Sequence, residues 1–282
     1  MSHLDNFDIV LETLITRLMS LQHLKNCTVS GLQVSTMTIS FKTNLEYCQV
    51  DGVSEFEPHL PENMCVFKPR GKHGEFPNCV GFKAPQFTDM RVNAKGNTKS
   101  MSIMLFNTGM LNITGVTTLQ SAQLTANRVC LMLDKKHGDP KGSIKIRSTT
   151  IQMINTNFVL EAKIYLDVLF GILVKKYKAD VSFDREVHPG ILWKYAPNPS
   201  QKHKVTIGIF SSGKIIMTNL LDASELETTF MHVTRILDDV FHEIWDLGWG
   251  EDEDDECRPK KRGRKRKSEK EALLDKLAEL AS

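Results

Sequence analysis

One hairpin is written twice in this chain. Leu105 to Gly115 reads LFNTGMLNITG, and 104 residues later Ile209 to Asn219 reads IFSSGKIIMTN. Both run an apolar residue, Phe, a polar residue, Ser or Thr, Gly, and then strand-forming residues that end in Thr and a turn former. Gly after two turn residues supplies the left-handed backbone that closes a tight hairpin. A repeat at such long spacing points to duplication of the whole unit around the hairpin. The Phe before each turn raises a second question, because a ring at the tip of a hairpin lies far from a core.

The flanking segments repeat in the same order. The leading stretch LDNFDIVLETLITRLMSLQHL spaces Phe7, Val10, Leu14, Leu18 and Leu21 as one face of an amphipathic helix. LQVSTMTISF then alternates with period two and predicts a strand, whereas residues 42–75 mix Pro, Gly and charge and predict a short helix and loops. FPNCVGFKA and SMSIMLFNTGMLNITG supply strands, and TTLQSAQLTANRVCLMLDKK a helix with Ala122, Ala126, Val129 and Leu133 on one side. In the second half TTIQMINTNFVL predicts a strand and EAKIYLDVLFGILVKKY a helix faced by Ile164, Val168, Leu169 and Ile172. HPGILWKYA and HKVTIGIFSSGKIIMTN are strands. A last helix opens on the capping-box spacing Ser224–Glu227 and carries Leu226, Phe230, Val233, Leu237, Val240 and Ile244.

Each half therefore reads strand, helix, antiparallel strands, helix. Two such units pair into an α+β fold with one curved antiparallel sheet and helices on one face. The expected boundaries are an N-terminal helical extension over 1–30, repeats over 31–144 and 145–248, and a charged tail over 249–282.

Composition narrows the function classes. No segment approaches the roughly 20 apolar residues that cross a bilayer, and the first residues carry acids where a secretory signal has bases, so the expectation is an intracellular protein without a membrane partner. Six cysteines show no C-x-x-C pair, and there is no glycine-rich phosphate loop, H-x-x-x-H spacing or nucleophile elbow. The reading is no catalytic residue, no metal and no small-molecule cofactor. Residues 1–250 carry 26 bases against 24 acids, so a nucleic-acid interface here must rely on apolar contact more than on phosphate neutralisation.

The paired F-x-[ST]-G elements, each followed by an amphipathic helix, together with SFDREVHPGILWKY, resemble the TATA-box-binding protein family. The resemblance implies a saddle of two pseudosymmetric repeats with helices on the convex face and a concave sheet that sits on the minor groove of double-stranded DNA. It implies a general transcription initiation factor of the nucleus, or of a viral replication factory if the chain comes from a large DNA virus. It also implies TFIIB-like and RNA polymerase partners. In this family rim aromatics enter between base steps and bend the duplex.

Residue by residue, the resemblance assigns the wedges to Phe76, Phe106, His188 and Phe210, with histidine bringing less apolar area than phenylalanine. Thr114 and Thr218 fit its strand threonines, Ile216 lies among the apolar groove residues, and Lys194 is placed to meet phosphate. The central asparagines of the family fall at Leu32 and Met153, and Asn112 and Gly208 replace groove-floor apolar residues, which leaves discrimination to DNA deformability. Asp184 and Glu186 match the acidic stirrup that engages TFIIB.

The tail is a separate module. EDEDDE at 251–256 precedes a basic block of Arg258, Lys260, Lys261, Arg262, Arg264, Lys265, Arg266 and Lys267, fit for nuclear import or phosphate attraction. Leu273, Leu274, Leu277 and Leu280 have the spacing of a short partner-binding helix. Two other readings stay open: a protein-interaction scaffold that kept the fold and lost DNA binding, and a small-ligand protein that uses the sheet as a pocket.

Overall fold

The computed structural model describes residues 6–20, 24–50, 52–71, 74–85, 100–200 and 202–245, so the expectations for the tail lie outside the described residues. Helix α1 (Phe7–Ser20) leads into the long strand β1 (Val29–Thr43) and a single 3-10 turn at Glu57–His59. Strands β2 (Cys65–Phe67), β3 (Arg70–Gly71), β4 (Gly74–Glu75), β5 (Cys79–Pro85), β6 (Ser100–Phe106) and β7 (Met110–Val116) precede helix α2 (Leu119–His137). The second half runs β8 (Ile146–Leu160), α3 (Leu166–Lys175), β9 (Asp180–Ser182), β10 (Gly190–Tyr195), β11 (Val205–Phe210), β12 (Lys214–Leu220), α4 (Ala223–Asp239) and α5 (Phe241–Ile244).

Ten strands form one curved antiparallel sheet in the order β2-β5-β6-β7-β1-β8-β12-β11-β10-β9, and β3 with β4 makes a separate ladder. That order reads the same from both edges. A pseudo-twofold passes through the pair Met37–Ile154, because Thr36–Asn155 and Thr38–Met153 exchange across it, as do Val29–Leu160 and Thr43–Ile146. One face is mostly apolar: Met37, Ile39 and Phe41 of β1, Ile154 and Phe158 of β8, and Ile113 and Ile215 of β7 and β12 are fully buried, with Thr43 and Thr156 among them. The helices cover this face, with Ala122, Ala126, Val129 and Leu133 of α2 and Phe230 and Val233 of α4 fully enclosed as their spacing predicts.

The duplicated turns explain their own spelling. Gly109 and Gly213 have φ of 72° and 80°, and each donates its N–H to the carbonyl of the Phe three residues back, at 2.9 and 3.0 Å. The turn formers that end the motif, Gly115 and Asn219, are also left-handed, at 86° and 70°, and sit at register shifts in β7 and β12 just before each strand passes to its helix.

Two aspartates show that the symmetry extends to side chains. Asp134 near the end of α2 accepts from Gly142 N, Ser143 Oγ and Ile144 N at 2.7 to 2.9 Å, and Asp238 near the end of α4 accepts from Lys25 N, Asn26 N and Cys27 N at 2.7 to 3.2 Å. Each ties a helix end to the residues that enter a long central strand. Burial alone would raise both pKa values. For Asp134 the hydrogen bonds from Ser143, Ile144 and Gly142 and the nearby His137 outweigh it, and for Asp238 those from Asn26, Lys25 and Cys27 do, so both lie below the usual carboxylate value.

Four expectations need correction. Val10 is 52% exposed and Leu11 takes its place in the core, because α1 is turned by about one residue from the predicted face. Val168 is likewise exposed, the helix begins at Leu166, and Leu173 completes the buried face; Ile164 instead bridges Trp245. The cap of α4 is Asp222, which accepts from Glu225 N, while Glu225 reaches back to Leu221 N; Glu227 pairs with Arg17 of α1 instead. The edge strands β2 and β9 were not expected, being three residues long and without alternation.

Replacing either Asp134 or Asp238 with Asn lowers stability at pH 7 by about 2 kcal/mol, since charge-assisted bonds to backbone N–H groups are lost. The depressed folded pKa makes each contribution complete above the unfolded carboxylate value of about 3.9 and lost as pH falls through the folded value. Denaturant unfolding of wild type and variants therefore converges in acid. Gly213→Ala sets a Cβ 2.1 Å from Leu160 O at positive φ and costs more than about 2 kcal/mol by the same measurement.

Candidate nucleic-acid interface

The face opposite the helices is built from alternate residues of the ten-stranded sheet, and the pairing registers sort them into rows. In the first half one row runs Ser40, Asn112, Met104, Gly81 and Phe67, and its mate in the second half runs Asn157, Ile216, Gly208, Leu192 and Ser182. The next row toward the pseudo-twofold carries Thr38, Thr114, Ser102 and Lys83, answered by Asn155, Thr218, Thr206 and Lys194. Thr114 and Thr218 make the same bond, each hydroxyl donating to a strand carbonyl, Ser102 O or Thr206 O, at 3.3 Å.

The halves differ in how they fill it. In the first half Phe67 lies directly over Gly81, where a Cβ would meet the ring at 2.4 Å, and Lys83 Nζ stands 5.6 Å from the same ring. In the second half Leu192 replaces that glycine, and Phe210 lies against the backbone of Gly190 and Gly208. Asn112 accepts from Ser40 Oγ at 2.7 Å, so the substitution noted in the sequence is part of a polar pair.

At the two ends of the face sit the residues expected as wedges. Phe76 is 48% exposed, while Phe106, His188 and Phe210 are half-buried on the sheet's open side. Asn107 N–H donates to Asn78 O at 2.9 Å, which ties the loop of Phe76 to the turn of Phe106. His188 stands 5.6 Å from Phe210 and its Nδ1 accepts from Gly190 N at 3.1 Å, so the ring is fixed beside its partner. None of the four packs beneath the helices.

Other sequence-derived positions change meaning. Lys194 donates to Thr206 Oγ1 at 2.6 Å and lies along the face. Its pseudosymmetric mate, Lys83, was missed, because only the sheet register relates FPNCVGFKA to HPGILWKYA. Leu32 is 5% exposed and points into the core, so it is not the counterpart of Met153. Bulges at Ser35 and Gln152 shift the central strands, and the mate of Met153 is Thr36. Amides do stand at the centre, at Asn155 and Asn157; Asn155 Oδ1 accepts from Asn219 N at 3.3 Å. Asp184 and Glu186 are exposed in the turn before β10, where Asp184 Oδ1 accepts from Glu186 N at 3.0 Å.

Among the described residues no group of three His, Cys, Asp or Glu is placed to hold a metal ion, and two hollows lie on the helical side of the sheet. Burial pushes the Cys27 thiol up to about 12 and the Cys130 thiol up to about 11, with Asp238 and Asp134 respectively adding to it, so both are inert at neutral pH.

Residues 148–240 match the family model described as transcription factor TFIID (or TATA-binding protein, TBP). TATA-box-binding proteins 2 and 1 of Entamoeba histolytica are each 25% identical to the chain over 148 residues, covering 52% of it and 62% and 56% of their own lengths. The chain thus spans about three fifths of the length of these relatives. The solved structure of Methanococcus jannaschii TBP aligns over 75% of this chain and all of its own, with 18% identity and a TM-score of 0.49. The family match falls on the second repeat, residues 148–240, and the pseudo-twofold relates that repeat to the first.

Proposed function

We propose that the open sheet face grips double-stranded DNA in its minor groove and bends it, and that the chain serves as a nuclear, TATA-binding-protein-like transcription initiation factor. The observation that carries this reading is an uncovered sheet face with Phe106 half-buried at one end and His188 beside Phe210 at the other, and with Phe76 exposed in the loop tied to the Phe106 turn. Rings at two ends unstack two base steps, each for a few kcal/mol, and the bent duplex then lies against more protein. Between them Thr114, Thr218, Ile216, Asn155 and Asn157 offer hydroxyls, methyls and amides to the degenerate minor-groove code. Lys83 and Lys194 flank this strip symmetrically and neutralise phosphate. Because the second wedge pair contains a histidine, the kink is deeper on the first-repeat side.

Asp184 and Glu186 form the acidic surface for a TFIIB-like factor, which leads to the RNA polymerase machinery. They sit on the turn beside the His188–Phe210 pair, so DNA and factor meet at one end of the molecule.

Mobility-shift and bend measurements on A/T-rich and random duplexes test the reading. Phe106→Ala with Phe210→Ala weakens binding about tenfold or more and reduces the bend while leaving the fold intact. Equal retention by wild type and variant, or none by either, favours the scaffold reading instead. Lys83→Ala and Lys194→Ala each flatten the dependence of log affinity on log salt by about one unit, alike for every duplex sequence.

A further inference from the structure

The pseudo-twofold relates two grooves on the helical side, and only one of them is filled by a described element. Helix α1 lies beside α4 and the first half of β1. It buries Leu11, Leu14 and Leu18, and it anchors through the pair Arg17–Glu227 at 2.6 Å. Its first turn also caps a neighbouring helix, since the Asp8 carboxylate accepts from Leu119 N and Gln120 N of α2 at 2.7 and 2.9 Å. Those are the first two N–H groups of the helix, while Thr118 caps the third, Ser121 N.

The mate of this site lies between α2 and the first half of β8. It is a hollow of about 690 Å³ lined by Gln123, Asn127, Cys130, Leu131, Ile144 and Ile146, with Lys145 and Arg147 along the strand side. By the repeat offset Gln123 stands where Glu227 stands in the filled groove. Ile144 stands where Cys27 does, and the clamp of Asp134 repeats that of Asp238. The far end repeats too. Asp222 caps Glu225 N of α4, and the two preceding N–H groups, of Ala223 and Ser224, donate to no acceptor among the described residues.

We propose that this second groove docks an acidic amphipathic helix of a partner protein, in the orientation α1 takes in the first. The filled groove dictates the spacing: an acidic residue in the first turn, then leucines three, six and ten positions on, as in Asp8, Leu11, Leu14 and Leu18. The wall charges dictate the flank. Lys145 and Arg147 replace Thr28 and Ser30 of the filled groove, so the occupant carries carboxylates toward the strand and has no use for a cation at the position of Arg17. Such a helix also places a carboxylate on the first turn of α4, where the helix dipole favours it. The groove is on the face opposite the open sheet, so the docked helix and a bound duplex do not compete.

The test uses the full chain and a fluorescent peptide of residues 6–20 carrying Arg17→Glu, read by anisotropy. The chain's own α1 is held in the first groove by a short tether at high effective concentration, so added peptide reports on the second groove. Saturable binding is expected, weakened tenfold or more by Lys145→Glu with Arg147→Glu in the protein, by Asn127→Trp, which fills the hollow, and by Leu14→Glu in the peptide. Circular dichroism checks that each variant is folded. Absent binding by wild type, or binding indifferent to both groove variants, overturns the proposal.

Discussion

The backbone pairing of β1 with β8 is the interaction on which the rest of the structure depends. It joins the repeats over nearly the full length of two fifteen-residue strands, and it fixes the pseudo-twofold at Met37–Ile154. Because side chains alternate with period two, that register decides which residues of all ten strands face the helices and which face outward. Bulges at Ser35 and Gln152 sit symmetrically about the centre, and each adds local twist to its strand. The open face and the packed core are thus two outcomes of one pairing.

Duplication has not kept the halves equal. Where one half has a glycine on the outer face the other has a bulky residue, as in Gly81 against Leu192 and Met104 against Gly208. The aromatic filling moves accordingly, to Phe67 on the first side and Phe210 on the second. A symmetric scaffold with an asymmetric surface gives direction to whatever lies on it, because its two ends present different chemistry.

Much of this was legible in the sequence, for identifiable reasons. The hairpins were readable because left-handed glycines at 109 and 213 leave few residue choices, and α2 and α4 because their apolar residues keep helical spacing over four turns. The short edge strands β2 and β9 were not, since three residues cannot display an alternation. Leu32 was misassigned because an inserted residue in a central strand reverses the face of everything beyond it, and a bulge at Ser35 leaves no mark in composition. Lys83 and Phe67 were invisible for a related reason. Their positions follow from pairing across the sheet, and neither lies in the repeated motif.

The stitch between Asp238 and residues 25–27 has a consequence for the wiring of the molecule. Since Asp134 makes the same stitch at the junction between the repeats, the start of the first repeat is held where a linker from the second would arrive. Both junctions between the two units are therefore held alike, and a circular permutant opened at the loop after α2 and sealed between α5 and β1 keeps every strand neighbour.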